Sequence, residues 1–103
     1  MLEKGMVTIN IYVKNVKNTK NPWIARVIFS EVGNSLFVPG KFDRDEEILS
    51  INVLPGDIVA AGVMKNSNRQ ILAYYKVGRY GTKLKLKNKK EAFLASKSSF
   101  EGE

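Results

Sequence analysis

The chain has 103 residues, 44% of them apolar, which suits a single domain with one modest core. Its net charge is +7, from 17 lysines and arginines against 10 acidic residues, and it contains neither cysteine nor histidine. This composition excludes disulfides, thiolate and imidazole metal ligands, and the nucleophiles and general bases of most familiar catalytic sites.

Two strands are predicted in the first third of the chain. Val7 to Val13 alternates apolar with polar residues, which predicts a strand with one buried face. Trp23 to Ser30 is rich in aromatic and β-branched residues, so it predicts a second strand, but its alternation leaves open which face is buried. The stretch between them, Asn15 to Pro22, is rich in asparagine and lysine and predicts the first loop.

A short strand and one helix are predicted next. Leu36 to Val38 reads as a third strand that stops at Pro39. Asp43 to Leu54 predicts a helix, because Asp43 is a good N-cap and Glu46 follows it in capping-box position. The β-branched residues in the second half of this segment leave a change to strand open. We interpret its four acidic residues as helix-capping groups rather than as a metal or acid–base site.

The second half of the chain predicts a β-hairpin and a basic extension. A turn at Pro55 to Asp57 leads into a fourth strand, Ile58 to Lys65, and a short polar loop separates it from a fifth, Arg69 to Val77. Lys83 to Lys87 then alternates lysine with leucine, as an edge strand or an extended arm does. We expect residues 1–78 to form the barrel described next and residues 79–103 to form a lysine-rich extension.

Three strands, one helix and two strands, in that order, are the elements of an OB-fold, a small five-stranded β-barrel. Arg26 through Val77 resembles the OB domains of archaeal nucleic-acid enzymes such as tRNA agmatinylcytidine synthetases. The shared features are a short strand, a charged helix, the Leu54-Pro55-Gly56-Asp57 turn, a strand of small residues and a closing strand. We therefore expect an all-β, OB-type barrel with one helix between strands 3 and 4. The enzymes of that family continue into a cysteine-rich zinc module, which a chain without cysteine cannot form, so their activity is not expected here.

The resemblance implies a binding surface on strands 2 and 3, flanked by the loops between strands 1 and 2 and between strands 4 and 5. Lysines and asparagines occupy both predicted loops, and residues 76–90 add seven cations and no acid. Such a block attracts phosphate chains, although it is equally typical of a segment that only maintains solubility. We expect nucleic acid to contact Tyr12, Lys14, Lys17, Lys20, Trp23, Arg26, Lys65, Arg69, Tyr74, Lys76, Arg79, Tyr80, Lys83, Lys85 and Lys87.

Several aromatic residues have a structural interpretation as well. Trp23, Phe29 and Phe37 lie on or beside strands 2 and 3, where a base can stack on a ring. We interpret Phe29 and Phe37 as core residues rather than stacking platforms, while Trp23 suits either packing at the barrel rim or stacking on a base. The strand period places Tyr12 and Tyr74 away from the core, where a tyrosine beside lysines suits single-stranded nucleic acid or a protein interface.

We therefore expect a non-enzymatic protein that binds single-stranded DNA or RNA with weak sequence preference and needs no cofactor or metal. The alternative is an assembly module that pairs with a protein partner, or with a second copy of itself, through a barrel edge or an aromatic patch. An enzyme that uses only carboxylates and lysines, such as Asp57 with Lys65, is a remote third possibility because no residue spacing supports it. The apolar stretches are shorter than the roughly 20 residues of a membrane span, and the N-terminus does not resemble a secretory signal. We expect no membrane partner and a cytoplasmic location.

Overall fold

The structure is a computed structural model that describes residues 5–13, 21–29, 35–79 and 83–86. These residues form antiparallel strands in two sheets and include no helix, so none of them belongs to an apolar helix of the length that a bilayer crossing needs. The strands are β1 (Val7–Tyr12), β2 (Trp23–Phe29), β3 (Ser35–Pro39), β4 (Lys41–Asp43), β5 (Ile48–Val53), β6 (Ile58–Lys65), β7 (Asn68–Val77) and β8 (Lys83–Leu86). One sheet has the order β1-β5-β4 and the other has the order β3-β2-β6-β7-β8.

The predicted all-β class is confirmed for the described residues, and the strands match the predicted segments closely. β1, β2, β6 and β7 lie within a residue of the predicted bounds. β3 is longer than predicted, because Pro39 lies inside it and pairs with Ala25. A proline is tolerated there because β3 is an edge strand of the described sheet. Of the two interpretations of the segment that begins at Lys83, the edge strand is confirmed, since β8 pairs with β7.

The predicted helix over Asp43 to Leu54 is wrong. Asp43 does behave as a cap, because its Oδ1 accepts hydrogen bonds from the backbone N–H groups of Asp45, at 3.0 Å, and Glu46, at 3.1 Å. The chain then leaves the helical path at Glu47, whose φ of 57° is left-handed, and continues as β5. Along β5, buried leucine and β-branched side chains alternate with more exposed residues, which is the pattern of a strand. The change to strand that the sequence left open therefore takes place, directly after a four-residue turn.

β3 and β4 are consecutive parts of one segment that bends at Gly40 and passes from one sheet to the other. The Gly40 N–H donates to the carbonyl of Ile24 at 2.8 Å, which keeps the bend attached to β2. A Cβ atom at Gly40 would collide with the carbonyl oxygen of Ser50 and would lie 2.7 Å from Cγ2 of Ile24 and 2.8 Å from Cβ of Ile51. Only glycine therefore fits at this bend.

The bent segment gives the chain a Greek-key order. β2, β3 with β4, and β5 follow one another as antiparallel neighbours, and β6 then returns to lie beside β2. The closed five-stranded barrel of the prediction is not present, however, in the part of the chain that the structure describes. The physical reason lies in β1, which pairs along its full length with β5 in the smaller sheet. The inward side chains of β1 and β5 are apolar and lie opposite each other, as Ile9 and Ile51 do. β1 therefore buries its apolar face in the smaller sheet.

Apolar side chains are buried on both faces of the larger sheet. The first cluster lies between the two sheets, and Ile24 and Val59 are among its most buried members. The second cluster lies on the opposite face of the five-stranded sheet, where Val27, Ile58 and Ala60 are buried. β2 contributes to both clusters, which explains why the sequence did not reveal a single buried face for it.

The Leu54-Pro55-Gly56-Asp57 turn joins β5 to β6 without a helix. The Asp57 N–H donates to the carbonyl of Leu54 at 3.1 Å, and Gly56 has a φ of 90°, as the third residue of a type II turn requires. The Leu54 N–H in turn donates to Oδ2 of Asp57 at 2.7 Å. The turn is therefore held by both backbone and side chain, and it fixes the Asp57 carboxylate at the end of β2.

Candidate nucleic-acid interface

An arginine lies over two aromatic rings on the outer face of the larger sheet. The Arg69 guanidinium carbon is 5.4 Å from the ring centroid of Trp23 and 5.2 Å from that of Phe37. The two rings are themselves stacked, with centroids 5.9 Å apart and an angle of 30° between their planes. Distances below about 6 Å give a cation–π attraction. We call Trp23, Phe37 and Arg69 the aromatic–arginine cluster.

Three neighbouring strands and one hairpin assemble this cluster. β2 lies between β3 and β6, so Trp23 and Phe37 meet from adjacent strands. The indole N–H of Trp23 donates to the carbonyl of Val63 at 2.9 Å, which fixes the ring against β6. Gly62 lies directly opposite Trp23 and has no side chain to occupy the outer face.

The β6–β7 hairpin brings Arg69 to the rings. Asn66 and Ser67 have φ values of 51° and 67°, and Lys65 pairs with Asn68 on either side of them. Positive φ at both central residues of a two-residue loop is the type I′ geometry, which matches the twist of the flanking strands. The tight turn thus places Arg69 one residue from the loop and beside β6, from where its guanidinium reaches the rings of Trp23 and Phe37.

A polar hollow adjoins the cluster. Lys65 and Arg69 supply its positive charges, and the described part of the chain offers neither of them a carboxylate partner within ion-pair distance. Amide side chains complete the polar lining, and most of these residues are exposed. The hollow is lined by Lys65, Asn66, Asn68, Arg69, Gln70 and Ile71.

Arg26 occupies a different environment. Its Nε lies 3.0 Å from Oδ2 of Asp57, and both side chains are partly withdrawn from solvent. Arg26 alternates with Ala25 and Val27 along β2, so it lies on the other face of the sheet from the aromatic–arginine cluster. It anchors the β5–β6 turn, and its charge is partly neutralised.

The expected exposure of Tyr74 is wrong, because only 8% of the residue is exposed. The cause is the second apolar cluster: Tyr75 and Val77 pack against the first cluster, so Tyr74 faces the other side of the sheet, where the second cluster buries it. A β-bulge between Ala61 and Gly62 leaves Leu72 as an extra residue on β7, and this shift places Ile71 on the same face as Tyr74. Burial raises the pKa of the Tyr74 phenol, in agreement with its withdrawal from water.

The remaining predicted site residues are distributed around the molecule. Tyr12 is exposed, as expected, but it belongs to the smaller sheet. Lys76 lies at the end of β7 farthest from the hairpin, Arg79 follows that end by two residues, and Lys83 and Lys85 belong to β8. Lys14, Lys17, Lys20, Tyr80 and Lys87 lie outside the described residues.

The structure thus unites three of the predicted residues, Trp23, Lys65 and Arg69, and adds Phe37 to them. Sequence reasoning assigned Phe37 to the core, and it is indeed half-buried against the second cluster. Phe37 lies on a short strand that stops at Pro39, and a proline is typical of an edge strand. This feature of the sequence indicated that Phe37 also reaches the surface.

The cluster and its hollow offer stacking and anion binding. A flat guanidinium held over aromatic rings presents a face on which a planar group can stack and N–H donors that suit phosphate oxygens. Asp43 and Asp57 accept hydrogen bonds within their own turns, and no three His, Cys, Asp or Glu residues of the described part gather into a group that could hold a metal ion. Comparisons with models of protein families, with curated proteins and with solved structures found no match to this chain.

Proposed function

We propose that the chain is a non-catalytic, OB-type domain that binds single-stranded DNA or RNA with weak sequence preference. The observation that carries this proposal is the position of Arg69, which lies over Trp23 and Phe37 and borders the cationic, amide-rich β6–β7 hairpin.

Stacking supplies the part of the affinity that depends on bases. Arg69 is exposed, and its guanidinium carbon lies within 5.4 Å of both ring centroids, so the guanidinium and the two rings together offer planar groups to a base. Bases of single strands stack on arginine planes and aromatic rings, and each stacked base contributes about 1–3 kcal/mol. Because every base has a π-face, such a site tolerates many sequences.

Phosphate contacts supply the part that depends on salt. Lys65 and Arg69 lack a carboxylate partner among the described residues, and the amides of Asn66 and Asn68 add hydrogen-bond donors beside them. The net charge of +7 favours the approach of a polyanion to any part of the chain. The β6–β7 hairpin supplies the position at which we expect its phosphates to bind.

The architecture supports the same proposal. The β2-to-β6 segment has a Greek-key order, which OB-folds share with other β-structures, and the aromatic–arginine cluster lies on the β2–β3 face beside the β6–β7 hairpin. The resemblance to OB domains led us to expect a binding surface on this face and at this hairpin.

Trp23 provides the experiment, because it is the only tryptophan in the chain. We expect its fluorescence to change when single-stranded oligonucleotides are added, and we expect the affinity to fall steeply between about 50 and 200 mM salt. Titrations with single-stranded DNA, single-stranded RNA and duplex DNA compare the candidate ligands. If no oligonucleotide binds at low salt, either by fluorescence or by gel retardation, the proposal is wrong.

A further inference from the structure

The free edge of β3 differs from the other edge of the same sheet. β3 pairs with β2 on one side, and no described residue pairs with its other side. Unprotected edges attract further strands, and natural proteins commonly protect them with charged residues or proline. β8, at the opposite edge, contains two lysines, whereas β3 has the sequence Ser-Leu-Phe-Val-Pro, which carries no charge and has its proline only at the last residue.

β3 also exposes apolar side chains. Leu36 is 61% exposed and Val38 is 40% exposed, and they lie on the same face because they are two residues apart. Phe37 lies between them and points to the opposite face, where it stacks on Trp23. An uncharged edge therefore coincides with a pair of exposed apolar residues.

We propose that β3 is a dimerisation edge that pairs antiparallel with β3 of a second copy of this chain. With the twofold axis at Phe37, Leu36 lies opposite Val38 of the partner subunit, and Phe37 lies opposite the partner subunit's Phe37. This register is self-complementary, as a twofold interface requires. Two chains of net charge +7 repel each other, so an edge without charge is where their contact costs least.

The pairing joins two five-stranded sheets into one and places both Phe37 rings on the same outer face. Directly opposite side chains in an antiparallel pair lie about 4.5–5.5 Å apart at Cβ, close enough for the rings to contact each other. If the proposed function holds, the two aromatic–arginine clusters form one longer surface for a single strand. The dimer itself does not depend on that function and can be measured without nucleic acid.

Disulfide trapping tests the register directly, because the chain contains no cysteine. Leu36→Cys and Val38→Cys are prepared as separate proteins, mixed and oxidised. Opposite residues lie about 4.5–5.5 Å apart at Cα, within disulfide reach, whereas two copies of Leu36 are diagonal neighbours beyond about 7 Å. We expect disulfide-linked dimers of one Leu36→Cys chain and one Val38→Cys chain in the mixture, and few from either variant alone.

The matched control is Leu72→Cys, because Leu72 is 62% exposed and lies on β7, away from β3. If Leu36→Cys links to Leu72→Cys as efficiently as to Val38→Cys, the proposed register is wrong.

Sedimentation measures the dimer without a cross-link. We expect the unmodified chain to sediment at twice its monomer mass of 11.6 kDa. Leu36→Lys places two like charges in the edge and should halve that mass, while Leu72→Lys should leave it unchanged; circular dichroism verifies that both variants fold. A monomeric wild-type chain at every concentration, or an unchanged mass for Leu36→Lys, overturns the proposal.

Discussion

Two hairpins of this protein hold an arginine over a phenylalanine at nearly the same distance. In the β4–β5 hairpin the Arg44 guanidinium lies 5.4 Å from the ring centroid of Phe42, and in the β6–β7 hairpin Arg69 lies 5.2 Å from that of Phe37. The neighbouring charges differ. Residues 43–47 contain four carboxylates beside Arg44, whereas residues 65–69 contain two cations and no acid.

The difference shows that an arginine–aromatic contact is not by itself a sign of a binding site. Coulomb repulsion from the acidic turn opposes the approach of a phosphate to Arg44, while Lys65 favours its approach to Arg69. A second ring adds to the contrast, because Trp23 extends the surface under Arg69. The same pairwise contact therefore has an acidic setting in one hairpin and a cationic setting in the other, and only the second suits the anionic, planar ligand that we propose.

The largest expected effect is on the stability of the β6–β7 hairpin. In Gly62→Ala the new Cβ would collide with the carbonyl oxygen of Gln70 and would lie 2.9 Å from its carbonyl carbon and 3.1 Å from Cα of Ile71. These are backbone atoms that cannot rotate away, so we expect the free energy of unfolding to fall by about 3 kcal/mol. Urea unfolding measures the loss, with exposed Lys65→Ala on the same strand as a control that should change little. Equal stability of Gly62→Ala and the wild type would contradict the close packing at the bulge.

The next effect is on binding. Arg69→Ala removes the stacking plane and should weaken single-strand binding about tenfold or more, since one stacked base contributes about 1–3 kcal/mol. Arg44→Ala removes the same charge and the same kind of contact from the acidic hairpin, and we expect little change in affinity. Oligonucleotide titrations at one salt concentration compare the two variants. Equal losses would mean that net charge alone drives binding and that the aromatic–arginine cluster is not the site.

Much of the strand pattern was predictable because it is local. Alternating burial in β1 and the turn residues around β6 identify these strands without knowledge of their partners. The helix prediction failed because the capping signal at Asp43 is also local, and the same two hydrogen bonds serve a tight turn. What decides against the helix is the pairing of β5 with β1, which the sequence around Asp43 does not contain.

The candidate site was predictable only in part for a similar reason. Trp23, Lys65 and Arg69 were identified by type and by their place in the predicted loops and strands. Phe37 meets Arg69 through the order of β3, β2 and β6, which local periodicity does not determine. The exposure of Tyr74 was mispredicted because the outer face of the larger sheet carries a second apolar cluster, which the alternation of β7 alone does not reveal.

A smaller effect is expected for the acidic turn. Asp43→Ala removes the oxygen that accepts from the N–H groups of Asp45 and Glu46, so we expect a loss of about 1 kcal/mol in the free energy of unfolding. Asp43→Asn keeps an acceptor at the same position and should retain most of the stability. Neither variant should weaken oligonucleotide binding, because each makes the chain less acidic. If Asp43→Ala is as stable as the wild type, Asp43 does not hold this turn.

The smallest effects concern backbone conformation, in which the two hairpins resemble each other. Glu47 and Ser67 both adopt positive φ, a region that glycine enters without steric cost. Glu47→Gly and Ser67→Gly should each raise the free energy of unfolding by about 0.5 kcal/mol, and the second creates the Asn-Gly pair favoured in type I′ turns. Thermal or urea unfolding measures both gains, and a loss in either would show that its side chain has a stabilising contact. If both variants gain equally and neither changes oligonucleotide affinity, the backbone geometry of the two hairpins is interchangeable. The difference in binding that we propose between the hairpins would then come from their charged and aromatic side chains.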